Sequence, residues 1–223
     1  MHFTAIIKAR TLVFLDLDEL NSNGKVRLVD VIPEIVKRYD FKSFPTKFEE
    51  VDIADKGASF KSGKIENIVI DELKIYSGLT YVETLSSTQD SALVLKDILS
   101  WGKENLGLTY SEDMLKHWAY VSQVSFTTDY PLLSRLSPPI NNLAKKIGTK
   151  VSSIFDQDLN YEPLNLVIGH DPQIRKNPIA AFTISRRANT PFADNKYFSE
   201  APLPTDAHIK FLQELETELL NQK

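Results

Sequence analysis

Residues 57–85 read GASFKSGKIENIVIDELKIYSGLTYVETL, and this stretch decides the fold class. It is rich in β-branched and aromatic residues. Ser77-Gly78 breaks it as a hairpin turn, predicting strands over Lys64–Tyr76 and Leu79–Leu85. Strict alternation places Val69, Asp71, Leu73 and Ile75 on one face and Ile70, Glu72, Lys74 and Tyr76 on the other. The second face is amphipathic, so the sheet is expected to be covered on one side and wet on the other.

Working outward from this hairpin, Ser87 or Thr88 is placed to cap a helix, with Asp90 in the first turn where the helix dipole favours an acid. Ala92, Leu95, Ile98, Leu99 and Gly102 form its stripe, and Gly107 stops it. Upstream, Arg10–Asp18 reads as a strand and Asn21-Ser22-Asn23-Gly24 as a turn. Lys25–Val29 then returns as a second strand, and Asp30 caps a helix buried through Ile32, Ile35, Val36 and Tyr39. The segment Asp40–Ala54, with Pro45, is irregular. Downstream, His117–Thr128 is a strand, and Leu132–Phe155 is helical with a break at Pro138-Pro139. Asn165–Ile168 and Ile179–Ser185 are strands. Asp206–Leu220 is a helix capped by Thr205, with its face at Ile209, Leu212, Leu215, Glu216 and Leu219. Tight hairpins followed by helices predict an α+β fold: an antiparallel or mixed sheet built from hairpins, with helices mainly on one face. No linker or repeat interrupts residues 1–223, which read as a single domain with a possible seam near Thr109–Asp113.

Composition excludes several classes. At 42% hydrophobic residues, the chain can bury enough surface to offset its ordering entropy. Without cysteine there is no disulfide framework, thiolate metal site or cysteine nucleophile. The net charge of −4 makes nucleic acid an unfavourable partner. The longest apolar runs, such as Thr11–Leu17, are too short for a bilayer span, and Asp16, Asp18 and Glu19 stand where a signal peptide would be cleaved. A cytoplasmic setting is the simplest expectation.

Three signals carry chemistry. Asp16-Leu17-Asp18, following Leu12-Val13-Phe14-Leu15, resembles the opening motif of haloacid-dehalogenase-type phosphohydrolases. That resemblance implies Mg²⁺, with Asp16 as nucleophile and Asp18 as general acid/base. It also makes Lys145, Lys146 or Lys150 the phosphate-binding lysine and puts Asp171, after Gly169-His170, in place of the late acidic motif. Glu19-Leu20 departs from the Gly-Thr pair of that family. Second, Glu72-Leu73-Lys74 resembles the core of metal-dependent PD-(D/E)xK nucleases, with Asp55 or Glu66 as the upstream acid. The surrounding residues 49–90 hold nine acids against four lysines and would repel a phosphate backbone. Third, Phe182–Arg187 reads as a strand ending in paired arginines and running into a loop rich in aromatics, Asn and Pro. Arg186, Arg187, Tyr197 and Phe198 are of the types enriched at protein interfaces, and with Asn195 they make up the candidate binding surface. Residues 142–187 hold seven Lys/Arg against four acids, opposite in sign to 49–90.

The four histidines, His2, His117, His170 and His208, have no metal-pair spacing, and no glycine-rich phosphate loop is present. The sequence therefore points to a non-catalytic protein that works through a protein partner or self-association, without a cofactor. The Mg²⁺-dependent phosphohydrolase and then the nuclease are its alternatives.

Overall fold

The computed structural model describes residues 1–115, 117–171, 173 and 179–221. In chain order the elements are β1 (His2–Phe14), α1 (Leu17–Leu20), α2 (Leu28–Tyr39), β2 (Ala58–Ile65), β3 (Ile68–Ile75), β4 (Leu79–Thr84), α3 (Thr88–Leu106), β5 (His117–Thr127), α4 (Leu132–Leu136), α5 (Pro138–Phe155), β6 (Asn165–Ile168), β7 (Phe182–Arg186), β8 (Lys196–Ala201) and α6 (Thr205–Asn221). Among the described residues the eight strands form one antiparallel sheet in the order β2-β3-β4-β1-β5-β8-β7-β6. This is the α+β class expected from the sequence. No helix among the described residues is long and apolar enough to cross a membrane.

By its contacts the chain divides into two compact units: a first of Met1–Ala5, Gln123–Ala201 and Ala207–Lys223, and a second of Ile6–Ser122 and Pro202–Asp206. Thr109–Asp113 lies inside the second unit, where the Thr109 hydroxyl donates to the carbonyl of Leu20 at 2.9 Å.

In the second unit, β2, β3 and β4 form a meander that β1 extends. The expected long strand over 64–76 is two strands, joined at Glu66-Asn67, where Glu66 adopts φ 48°. That turn has no glycine to announce it. A second feature corrects the assignment of faces. Between Ile70 and Glu72 the β3–β4 register slips by one residue, so Ile70, Leu73 and Ile75 are all buried while Asp71 is exposed. A bulge at Asp71 puts Ile70 on the side from which strict alternation excludes it. Onto that face pack Ile35 and Tyr39 of α2 and Leu95 and Leu99 of α3, in one cluster with Val13, Phe60, Leu73 and Val82. The caps of α3 are those the sequence calls for. The Ser87 hydroxyl accepts from the Asp90 N–H at 3.0 Å, and Gly107 ends the helix at φ 73°. Thr88 and Thr205 bind each other reciprocally, each hydroxyl accepting the other's backbone N–H at 3.1 and 2.8 Å.

Three expectations near the N-terminus are overturned. β1 ends at Phe14, not Asp18, because the Asp16 carboxylate turns to accept the Asp18 N–H and caps α1. Lys25–Val29 is no strand. The Asn21 side chain takes both the N–H and the carbonyl of Val26, the groups a ladder would need. Asp30 is also not the cap of α2. It sits inside the first turn and accepts from Arg27 Nε at 2.7 Å.

In the first unit, β6, β7 and β8 form a second meander. β8 replaces part of the loop expected after Arg187, and with it Tyr197 goes into the core. Its ring stacks on Phe126 at 5.5 Å, and its hydroxyl accepts the Leu132 N–H at 2.9 Å. Burial pushes the Tyr197 hydroxyl pKa up, so it stays protonated. Tyr197→Phe removes the acceptor and leaves a buried N–H unpaired. The expected cost is about 1–3 kcal/mol of stability, measured by urea denaturation. The imidazole of His208 is buried, with Nε2 at 2.8 Å from the Ser199 hydroxyl.

Candidate functional site

The carboxylates of the phosphohydrolase motif are not gathered. Asp16 is occupied as the cap of α1 in the second unit, and Asp18 is exposed on that helix. Asp171 follows β6 in the first unit and accepts the Gln173 N–H at 2.9 Å. The neighbouring His170 Nδ1 lies 2.9 Å from the Asp171 carbonyl. Lys145, Lys146 and Lys150 are exposed on α5. Among the described residues no three His, Asp or Glu side chains come together in a group that could hold a metal ion.

Glu72 and Lys74 lie half-buried on the polar face of the second unit's sheet, in a ladder of paired side chains. Glu83, itself buried, takes Lys8 at 3.2 Å and Arg10 through Nε at 2.8 Å, and the Arg10 guanidinium covers the Tyr81 ring at 4.1 Å. Tyr81 and Ser59 each donate to Glu72 at 2.6 Å, and Lys61 stands 3.8 Å away. Lys74 rests its ammonium over the Tyr76 ring at 5.1 Å. Glu66 is at a hairpin tip and Asp55 in an exposed turn. Both Glu72 oxygens are thus engaged by neighbours.

Burial raises the Glu72 pKa, but the bonds from Ser59 and Tyr81 and the charges of Lys61 and Lys74 outweigh it, so the net shift is downward. A lowered folded-state pKa adds stability above the ordinary carboxylate range and loses it as pH falls through the lowered value. Wild type is therefore expected to lose more stability than Glu72→Gln between about pH 5 and pH 2, read from urea midpoints across that window.

The arginine-rich segment separates into inner and outer residues. Arg186 is nearly buried. It is paired with Glu162, donates to the Phe192 carbonyl at 3.1 Å, and lies over the rings of Phe192 and Tyr197. Phe198 is half-buried on β8, and Asn195 ends a short turn at φ 46°. Arg187 is exposed, its backbone N–H donating to the Lys196 carbonyl at 2.9 Å. Arg175 and Lys176, two of the cations counted in 142–187, lie outside the described residues. In 49–90, Glu50 accepts the backbone N–H groups of Thr46 and Lys47, and Asp52 that of Asp55. With Glu72 and Glu83 engaged as well, the acidic patch is more satisfied internally than the charge count suggests.

The feature that composition and motifs do not announce is the face of α5. Pro138 opens this helix and Asp156 closes it at φ 50°. It packs through its small, polar side. Gly148 is buried, and a Cβ there would lie 3.1 Å from the Leu159 carbonyl and 3.4 Å from the Tyr161 N–H nitrogen. One turn on, the Ser152 hydroxyl accepts the Leu159 N–H at 2.9 Å. The apolar stripe, apart from Phe155 seven residues after Gly148 on the same side, is rotated away from this contact. Ile140, Leu143, Ile147, Ile154 and Phe155 are 51%, 53%, 41%, 63% and 64% exposed. Their spacing puts them along one side of the helix, where an amphipathic helix normally meets its core. The first unit also exposes Leu164, Val167 and Ile168 at β6, the last strand in the sheet order among the described residues. A strand there leaves backbone groups open to pairing. A helical period finds the α5 stripe in the sequence, but does not say that the stripe faces outward.

Compared with known proteins, the chain matches no family model, and no curated sequence is significantly similar to it.

Proposed function

We propose that this protein is a non-catalytic assembly component that associates with a second copy of itself through the exposed side of α5. One observation carries the reading: the helix packs through Gly148 and Ser152 and displays Ile140, Leu143, Ile147, Ile154 and Phe155. Large contiguous apolar patches of this kind mark interaction surfaces. Pairing two such stripes would bury on the order of 1,000 Å², the threshold of a specific interface. A symmetric pair matches each stripe to its own copy without requiring a second kind of surface. The cytoplasmic setting expected from the sequence belongs to the same proposal.

Charge sets the signature of this association. Residues 138–155 carry Lys145, Lys146 and Lys150 and no acid. Two copies therefore repel, and screening should favour the pair, so association is expected to strengthen as salt rises. Size-exclusion chromatography with light scattering, from micromolar to near-millimolar protein at low and high salt, tests both points. A concentration-dependent approach to the dimer mass, sharper at high salt, supports the reading. A monomer at every concentration and salt overturns it.

A further inference from the structure

The second unit contains a cavity of about 180 Å³ between α1, the chain around Val26, α2 and the C-terminal half of α3. Its walls are apolar, among them Leu20, Ile35, Ile98, Leu99 and Trp101. Apolar cavities of about 150 Å³ stay dry and accept molecules the size of benzene. Asn21 and Thr80 are the uncharged polar residues among the lining, and the Asn21 amide is already occupied by Val26. The one charged residue lining the cavity is Asp18, at an exposed position on its rim. Among the described residues no cation is paired with its carboxylate, although the fold pairs Asp30, Glu83, Asp97 and Glu162 with arginines.

We infer that this cavity is a binding site for a small amine with a compact apolar body, its ring or branched chain among Leu20, Ile98 and Leu99 and its ammonium at Asp18. The apolar walls supply the affinity by removing the body from water. The carboxylate supplies the selection, favouring a cation and repelling an anion. An anion of the same shape would bring like charge against Asp18, and a neutral analogue would gain only the apolar contact.

The test uses the full chain and three probes of one shape: benzylamine, benzyl alcohol and benzoate, with dissociation constants from ligand-observed NMR. Benzylamine is expected to bind about fivefold more tightly than benzyl alcohol, the scale of a partly exposed ion pair. Benzoate should be the weakest of the three. Asp18→Asn, at an exposed position, should bring the amine and the alcohol to equal affinity. Leu99→Phe, which fills the cavity, should weaken both, with circular dichroism to establish that the variant is folded. Equal binding of amine and alcohol by wild type overturns the role of Asp18. Amine binding that survives a folded Leu99→Phe, or no binding by any probe, overturns the site.

Discussion

Deleting Ser62 alone, or Asp71 alone, is expected to destabilise the second unit on the order of 3–5 kcal/mol, and deleting both to restore most of that loss. Ser62 on β2 takes φ 56°, opposite the bulged Asp71 on β3. The two strands keep one mutual register through this point, with Lys61 facing Glu72 before it and Gly63 facing Ile70 after it. Each strand therefore carries one extra residue, and both change phase together. On β2 the buried set runs Ala58, Phe60 and then Gly63; on β3 it runs Ile70 and then Leu73 and Ile75. Removing one extra residue leaves its neighbour out of phase. Either the β2–β3 ladder breaks beyond that point, or one strand's apolar side chains turn to water. Removing both leaves two regular strands with the same partners and the same buried faces. Urea denaturation of the four proteins measures the coupling. A double deletion as damaging as the sum of the single ones would refute the paired bulge.

The second large effect concerns association. Ile147→Asp is expected to weaken self-association by about 100-fold or more while leaving the monomer folded. Ile147 is in the middle of the α5 stripe and already 41% exposed, so an acid costs the monomer little. At a paired surface the same carboxylate would be stripped of water among the apolar side chains of the partner's stripe. Thr149→Asp, on the exposed polar side of α5, is the control and should change affinity far less. Sedimentation equilibrium separates the cases. Ile147→Asp with wild-type affinity would show that another surface is used. Lys146→Gln combined with Lys150→Gln should tighten the pair at low salt and flatten its salt dependence.

Much of the fold was legible because its causes are local. Ser87 and Gly107 end α3 by hydrogen bonding and left-handed geometry that need no distant residue. Asn165–Ile168 reads as a strand from its own residues and is one, with those bounds. Lys25–Val29 alternates like a strand, but a side chain, Asn21, holds the backbone that the alternation would pair. Lys196–Ala201 follows a run of turn residues and carries no strand signal of its own; its pairing with β7 makes it β8. The candidate site was less legible. The Asp16 and Asp18 motif is present in the chain, yet Asp16 serves as a helix cap. Arg186 has the composition of an interface residue and the surroundings of a core one.

By itself, then, the sequence determined the class of fold, the hairpin at Ser77-Gly78, the ends of α3 and the absence of any cysteine chemistry. Those follow from backbone preference and side-chain type within a few residues. The tertiary structure alone decided which way faces point. Ser62 and Asp71 invert the phase of two strands, and Gly148 lets the backbone at Leu159–Tyr161 lie against the small side of α5. Periodicity specifies which residues share a face. What lies opposite that face depends on residues far along the chain, and here that contact turns the apolar stripe of α5 outward.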